Sequence, residues 1–188
     1  MRFDPVHAVN ALWIVLMTVW AIGALQASPA VRRQSSRSRV GHILLLTAAA
    51  LLMWRRPFGL LGWRFVPHTE LAGWIGVGVA VAGIAVAIAA RVFLGRNWSG
   101  VVTVKKDHEL IRRGPYAVVR HPIYSGILLG LLGTAIVVGE VRALIGVALF
   151  AIGFRVKSLT EEQFMEEQFG DEYRDYKRRV KALVPLLW

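Results

Sequence analysis

The longest apolar run in the chain reaches from Leu71 to Leu94 and contains one charged residue, Arg91. A transmembrane helix needs about 20 mostly apolar residues, so this run is long enough to cross a bilayer. Its glycines, among them Gly76 and Gly83, favour close contact with a neighbouring helix. The chain is 55% hydrophobic, which is above the roughly 45–50% of ordinary soluble domains. We therefore expect an integral membrane protein.

Four shorter apolar runs accompany it, at residues 6–27, 40–54, 123–138 and 141–154. The first could pass for a secretory signal peptide, but the runs that follow it favour a first membrane helix. The last two are separated only by Gly139-Glu140 and predict a tight helical hairpin. The sequence thus predicts an all-α, polytopic membrane protein with about five transmembrane helices, or four if residues 40–54 lie at the interface.

The distribution of basic residues predicts the orientation. With five spans, the loops at residues 28–39 and 91–120 and the tail from Arg155 onward share one side of the membrane, and together they hold 18 of the 23 lysines and arginines. The positive-inside rule places this side in the cytoplasm and the N-terminus outside. We expect a plasma or inner membrane protein whose net charge of +11 meets anionic lipid.

Several familiar chemical signatures are absent from the sequence. There are no cysteines, which excludes disulfides, thiolate metal sites and a cysteine nucleophile. Neither a phosphate-binding P-loop nor a zinc-binding H-E-x-x-H helix is present. The segment GVGVAVAG at residues 76–83 lies inside an apolar run, so helix packing explains its glycines better than a dinucleotide-binding loop does. We expect neither a metal nor nucleic acid as a partner.

A first polar cluster, DHELIRRGPYAVVRHPIYSG, occupies residues 107–126. Gly114-Pro115 predicts a turn, and Pro122 predicts the start of the next membrane helix. Arg120, His121 and the early amides of that helix would then form a site for an anion, such as the carboxylate of a substrate or a cofactor. The alternative for Arg120 is that its side chain extends to lipid phosphates.

A second polar cluster occupies residues 154–179, just after the last apolar run. Glu161 and Glu162 could meet a cationic or hydroxyl-bearing ligand if the tail folds back over the hairpin. An apolar stripe at helical spacing predicts an amphipathic helix, broken at Gly170 with Asp171 as the next N-cap. The other acidic residues are expected to pair with basic neighbours on a solvated face: Glu166, Glu167, Asp171, Glu172 and Asp175. Tyr173 and Tyr176 are expected to pack against other helices.

The two clusters together resemble a known family. HELIRRGPYAVVRHPIYSG, a hairpin, EEQFMEEQFGDEYRDYKRRV and a late proline follow one another as in the isoprenylcysteine carboxyl methyltransferase family, whose wider relatives are phospholipid N-methyltransferases. The resemblance covers residues 96–188, while residues 1–95 carry only transmembrane helices. We expect a single domain over residues 1–188, with the cofactor-binding loop, hairpin and C-terminal helices in its second half.

The resemblance implies S-adenosylmethionine as the methyl donor, with S-adenosylhomocysteine as the product. It implies that the cofactor site is lined by His108, Leu110, Tyr116, His121, Tyr124, Glu161 and Glu162. It implies that Arg120 orients the substrate carboxylate. A second basic group is expected before the glutamate pair, where Arg155 and Lys157 compete. A lysine there would bind a carboxylate as a point charge, without the two-pronged geometry of an arginine.

The implied acceptor is a lipophilic or lipidated molecule that enters from the bilayer, with membrane lipids around it. Carboxyl O-methylation is the first expectation, because a carboxylate is already ionised near neutral pH. Within the same fold, N-methylation of a phospholipid amine, or S- or O-methylation of another small lipophile, is the alternative. A membrane scaffold without enzymatic activity, whose Arg-His-Pro turn anchors lipid headgroups, is the alternative from a different functional class.

Overall fold

The computed structural model describes residues 4–25, 32–33, 36–54, 59–95, 103–104 and 110–184. The helices are α1 (Pro5–Leu25), α2 (Ser36–Trp54), α3 (Glu70–Leu94), α4 (Pro122–Val138), α5 (Val141–Phe169) and α6 (Asp171–Arg179). The two-residue strands β1 (Arg32–Arg33) and β2 (Thr103–Val104) form an antiparallel pair. Short 3₁₀ turns cover Gly59–Gly62 and Gly114–Ala117. The predicted helical architecture is confirmed, with this small strand pair added to it.

Membrane-spanning capacity differs among the described helices. Three segments are long and apolar enough to cross a membrane: Pro5–Ala24, Glu70–Leu94 and Val141–Phe169. Two apolar helices are shorter, Val40–Trp54 and Pro122–Val138. Large apolar side chains on α1, α2 and α3 are more than half exposed, as a lipid-facing surface requires, among them Ile14, Leu44 and Leu71. The fold is that of a polytopic integral membrane protein, and the count of five spans stays a prediction.

The fifth helix is longer than the sequence pattern predicted. Its apolar part ends near Phe154, but α5 continues to Phe169, because residues 155–169 contain no glycine or proline to interrupt it. Gly170, with φ of +53°, separates α5 from α6. The predicted break at this glycine is confirmed. The prediction that Asp171 is the N-cap is wrong, because Gly170 occupies the cap position and Asp171 begins α6.

Helices α3 and α4 pack backbone against backbone. A Cβ atom on Gly83 would lie 2.3 Å from the backbone nitrogen of Gly130, and one on Gly133 would lie 2.4 Å from that of Ala80. A Cβ on Gly76 would lie 2.7 Å from the backbone oxygen of Gly133. No side chain fits at these positions without moving a helix, so the predicted role of Gly76 and Gly83 in close helix contact is confirmed.

Polar bonds attach α1 to this helix pair. The indole nitrogen of Trp13 donates to Thr134 Oγ1 at 2.9 Å, and Arg91 Nη2 donates to the Gly23 carbonyl near the end of α1 at 2.7 Å. In an apolar environment such bonds satisfy groups that would otherwise be costly to bury. They attach α1 to α4 near its middle, at Trp13, and to α3 near its end, at Gly23.

A second polar group holds the turn of the α4–α5 hairpin. Arg142 Nε donates to Glu140 Oε2 at 2.6 Å, and Arg142 Nη1 donates to the Leu52 carbonyl of α2 at 2.9 Å. Arg64 Nη1 lies 3.8 Å from Glu140 Oε1. These bonds join the hairpin turn to the C-terminal end of α2. The candidate site lies at the other end of the hairpin.

Candidate functional site

The segment that leads into α4 is shaped by a glycine turn. Gly114 has φ of +59°, and a Cβ at this position would lie 2.5 Å from Cε1 of the Phe93 ring. Both the backbone conformation and the lack of space require glycine here. His121 is the N-cap of α4 and Pro122 is its first residue. The prediction that this helix begins near Pro122 is confirmed.

The C-terminal segment, residues 180–184, folds back onto the start of α4. The amide of Arg120 donates to the Lys181 carbonyl at 2.8 Å, and the amide of His121 donates to the Ala182 carbonyl at 2.9 Å. Both amides precede α4, and the returning chain supplies their acceptors. The prediction that the early amides of α4 itself help to bind an anion stays a prediction. The two polar clusters of the sequence therefore meet at one end of the bundle.

Arg120 and Glu162 form a buried ion pair at this junction. Arg120 Nη2 and Nε donate to Glu162 Oε1 at 2.7 and 3.1 Å, and the two side chains are only 7% and 2% exposed. Arg120 Nη1 donates to the carbonyls of Lys177 and Val180. Every nitrogen of the guanidinium group thus bonds to α5, α6 or the segment after α6.

Lys177 completes this arrangement from α6. Its Nζ atom lies 3.2 Å from Glu162 Oε2 and 2.8 Å from Glu166 Oε1. The prediction placed Lys177 on a solvated face, and the structure shows that it also reaches the buried carboxylate. We call Arg120, Glu162 and Lys177 the clasp, because together they hold the start of α4, the end of α5 and α6 in contact.

His121 lies between the two neighbouring carboxylates. Its Nδ1 atom is 3.4 Å from Glu161 Oε2, and its Nε2 atom is 3.2 Å from Glu162 Oε1. A neutral imidazole has one N–H donor, so only the cation can donate to both carboxylates. Burial favours the neutral ring, but the hydrogen bonds to Glu161 and Glu162 outweigh burial and raise the pKa of His121 above 6.5.

We expect the stability advantage of the wild-type protein over a His121→Gln variant to shrink as the pH rises. The contribution of a group with a raised pKa is fully present below its unfolded-state value and is lost as the pH passes the folded-state value. Thermal unfolding of both ligand-free proteins in detergent, between about pH 6 and pH 9, checks this. A His68→Gln variant, changed in an exposed loop, controls for the loss of a histidine. A constant gap for His121→Gln would contradict the cationic assignment.

Tyr124 connects the glutamate pair to the hairpin. Its hydroxyl donates to Glu161 Oε1 at 2.5 Å, and its ring stacks on His121 and on Phe154 with centroids 5.6 and 4.8 Å apart. Lys157 Nζ lies 5.4 Å from the centre of the same ring. Glu161 is therefore held in place by Tyr124 and His121, with a cation on the adjacent turn of α5.

The other tyrosines of the region support the fold. Tyr116 is buried, and its hydroxyl donates to the Ala90 carbonyl at 3.4 Å. Tyr176 donates to the carbonyl of Tyr116 and stacks edge-on against Tyr173. Burial raises the pKa of Tyr176 to about 12. The packing roles expected for Tyr173 and Tyr176 are confirmed, and Tyr116 belongs to the same packed group.

The remaining predicted site residues are placed differently. Lys157 lies beside Tyr124, whereas Arg155 Nη1 donates to Ser158 Oγ of its own helix at 3.4 Å. Residues two apart on an α-helix point about 160° apart, so Arg155 and Lys157 face different neighbours. Leu110 is half-buried at the start of the last described segment. His108 lies outside the described residues.

The arrangement offers a carboxylate whose position is fixed by Tyr124 and His121 and whose side chain is partly exposed. Glu161 is 24% exposed, while the adjacent Glu162 is enclosed by the clasp. Such a carboxylate can accept hydrogen bonds from an ammonium group or from hydroxyl groups, and Lys157 beside it can bind an anion. Polar side chains at the end of a membrane hairpin mark a candidate functional site.

Comparison with known proteins finds relatives with similar sequences. The sequence is 36% identical over 104 residues to the protein-S-isoprenylcysteine O-methyltransferase of Schizosaccharomyces pombe, covering 52% of this chain and 43% of that protein. It is 32% identical over 154 residues to the Homo sapiens protein of the same name, covering 79% and 54%. The chain thus spans about half the length of these curated relatives.

A solved structure has a similar fold. It is the eukaryotic intramembrane Ras methyltransferase isoprenylcysteine carboxyl methyltransferase, with a TM-score of 0.57 and 21% identity over 84% of this chain and 55% of that chain. The sequence model of the phospholipid methyltransferase family matches residues 71–172, which include α3, the hairpin and both glutamates. By this match, which covers more than half of its length, the chain belongs to the phospholipid methyltransferase family.

Proposed function

We propose that the protein is a membrane methyltransferase that uses S-adenosylmethionine as its methyl donor and a lipophilic molecule from the bilayer as its acceptor. The first acceptor class is the carboxylate of an isoprenylated cysteine. The names of the yeast and human relatives support this class, as does the family match over residues 71–172. The basic loops favour a site at the cytoplasmic leaflet under the positive-inside rule.

The observation that carries the proposal is the different surroundings of Glu161 and Glu162. Glu162 is bound by protein cations and is 2% exposed, so it stabilises the end of the bundle. Glu161 is oriented by Tyr124 and His121, no arginine or lysine bonds to it among the ion pairs of the described residues, and its side chain is 24% exposed. Evenly solvated surface glutamates would show no such division. A carboxylate held in place at a membrane end is suited to bind a ligand.

The groups of the methyl donor suit this carboxylate. S-adenosylmethionine has an ammonium group and ribose hydroxyls, all of which donate hydrogen bonds, and Glu161 is an acceptor with no proton of its own to offer. When bound, the donor would supply an electrophilic methyl group on a positively charged sulfur. In this proposal Glu161 holds the donor, and His121 and Tyr124 keep Glu161 in place.

Lys157 is the residue we assign to the acceptor carboxylate. The sequence suggested Arg120 for this role, but each nitrogen of its guanidinium group already bonds to Glu162 or to the carbonyls of Lys177 and Val180. Lys157 lies on the adjacent turn from Glu161 and next to the ring of Tyr124. An ionised carboxylate needs no general base, so the protein has to align the reactants and exclude water. Alignment alone can contribute about 7–11 kcal/mol to catalysis.

We expect Glu161→Gln to weaken the binding of S-adenosylmethionine by about ten- to a hundredfold. The change keeps the shape of the side chain but removes its charge, and a hydrogen bond to a charged group contributes about 1.5–3 kcal/mol. Isothermal titration of the purified protein in detergent, with S-adenosylmethionine and with S-adenosylhomocysteine, measures the dissociation constants.

Glu167→Gln is the matched control, because Glu167 is an exposed glutamate on the same helix. It should bind the donor as the wild type does. Equal affinities of the Glu161 and Glu167 variants would remove Glu161 from the donor site. A folded wild-type protein that binds no donor would favour the membrane scaffold over the enzyme.

N-methylation of a phospholipid amine is the second candidate function, and the description of the matching family favours it. An amine must lose a proton before it can accept a methyl group, so this reaction needs a base. His121 does not suit that role, because both of its nitrogens face carboxylates that hold it as a cation. Glu161 is then the available base.

The stability of the transferred label distinguishes the two acceptors. Membranes containing the protein are incubated with donor carrying a radiolabelled methyl group, and the labelled lipids are treated with mild base. A methyl ester releases its label, whereas a methylated amine keeps it. Release of the label is the result expected from the first acceptor class, and retention would replace it with the second.

A further inference from the structure

Helix α2 brings a histidine to the site that no sequence motif singles out. His42 is half-buried, and its ring lies against α5 at Gly153, where an added Cβ would be 3.6 Å from His42 Cε1. The absence of a side chain at Gly153 leaves room for Leu46, whose Cδ2 would lie 2.9 Å from an added Cβ, and the imidazole packs beside it. The family match begins at residue 71, so His42 lies outside the part of the chain that the match covers.

The position of Gly153 on α5 places His42 next to the proposed acceptor site. Gly153, Lys157 and Glu161 follow one another at intervals of four residues and therefore lie along one side of the helix. Because Gly153 lies beside His42, Lys157 and Glu161 extend along the side of α5 that meets α2 at this histidine. His42 thus belongs to the same group of polar side chains as the two residues already assigned.

The surroundings of His42 indicate that it meets the acceptor. The adjacent face of α2 carries an open apolar groove of about 620 Å³, lined by Ile43, Leu46, Thr47, Ala50, Leu51 and Trp54. Leu46 also contacts α5 at Gly153, so the groove reaches the place where His42 lies. On α5, the side chain of Glu162 points about 140° away from that of Lys157 around the helix axis, so the clasp lies on a different side of α5 from Lys157. An acceptor that arrives from lipid would reach His42 before it reaches the clasp.

We propose that His42 binds the polar head of the lipophilic acceptor, by donating a hydrogen bond from its imidazole to the acceptor carboxylate. This inference rests on the proposed function. During transfer one carboxylate oxygen forms a bond to the methyl carbon while the bond from that carbon to sulfur breaks. The products are a neutral methyl ester and a neutral thioether, and no proton moves. His42 would hold the other oxygen and, with Lys157, fix the direction of attack.

The test compares His42→Ala and His42→Gln with the wild type, using an N-acetylated S-farnesylcysteine as the acceptor probe. Loss of a hydrogen bond to a charged group should raise the KM of the probe about tenfold or more in His42→Ala. Glutamine keeps an N–H donor, so the KM of the probe in His42→Gln should stay within about threefold of the wild-type value.

The dissociation constant of S-adenosylmethionine should be unchanged in both variants. Direct titration of the probe in the presence of S-adenosylhomocysteine should show the same order of affinities without turnover.

Each result bears on the inference. An unchanged KM in His42→Ala, or a glutamine variant as impaired as the alanine variant, would overturn it. A matching loss of donor affinity would show a structural role and would also overturn it. His68→Gln, in an exposed loop, controls for the loss of a histidine. A wild-type protein that binds no donor would remove the proposed function together with this inference, whereas normal methylation by His42→Ala would remove the inference alone.

Discussion

Replacing Gly83 with leucine is expected to separate α3 from α4 and destabilise the whole bundle. A Cβ at Gly83 would already lie 2.3 Å from a backbone nitrogen and 2.6 Å from a backbone oxygen of α4, and backbone atoms cannot turn aside as a flexible side chain can. Overpacking in a well-packed core costs typically 1–3 kcal/mol and sometimes more. We expect at least about 3 kcal/mol here, which corresponds to a fall in Tm of about 6–12 °C for a chain of this size.

Gly78→Leu is the matched control for this change. Gly78 lies on the same helix and is exposed, and nothing lies within 4 Å of an added Cβ. The two variants gain the same side chain in the same helix, so their difference isolates the contact between α3 and α4. Thermal unfolding in detergent, followed by tryptophan fluorescence, measures both. Equal losses of stability would contradict the assignment of this close contact.

Removing the Glu162 side chain is expected to have the second large effect. Glu162→Ala leaves the buried guanidinium of Arg120 without its carboxylate and removes one of the two partners of His121. Breaking a buried ion pair by removing one partner costs about 3–5 kcal/mol. The C-terminal segment should detach first, because Arg120 also binds the carbonyls of Lys177 and Val180.

Limited proteolysis and hydrogen exchange of the amides of Arg120 and His121 measure this detachment. Both amides bond to the returning chain, so they should exchange faster in Glu162→Ala than in the wild type. The exposed neighbour Glu167, changed to alanine, should leave exchange as it is. The double variant Arg120→Ala with Glu162→Ala should lose less stability than the sum of the two single variants. Additive losses would show that the two side chains act independently.

The positions of the helices follow from local sequence, because lipid and glycine impose local requirements. Apolar runs in a bilayer must satisfy their backbone polar groups internally, so they form helices. Gly139, with φ of +69°, ends α4 at the place that the Gly139-Glu140 pair predicted. Pro122 starts α4 for a reason that is equally local. The apolar run marked the span only as far as Phe154, and α5 continues to the predicted break at Gly170, because a loss of hydrophobicity does not by itself end a helix.

The sequence predicted the two clusters of polar residues that form the candidate site, but it did not predict which of these residues contact one another. Arg120, His121 and both glutamates could be singled out, because charged groups next to membrane helices are costly unless they have partners. Which partner each residue takes is decided by contacts between segments about 40 positions apart, and sequence spacing does not encode such contacts. For Arg120 the sequence suggested a substrate carboxylate as the partner, whereas in the structure its guanidinium group bonds to Glu162 and to the carbonyls of Lys177 and Val180.

What the sequence alone determined is the class of protein, the order of its membrane helices and the small set of polar residues that could do chemistry. Only the tertiary structure decided that Glu162 is enclosed while the side chain of Glu161 stays partly exposed, that Lys157 and not Arg155 lies beside Tyr124, and that His42 of α2 lies against α5. The physical reason is that hydrophobicity and backbone conformation act over a few neighbouring residues. The exposure of a charged side chain, in contrast, depends on which helices pack around it. Here three sets of contacts determine that packing: those between α3 and α4, those between α2 and α5, and those within the clasp.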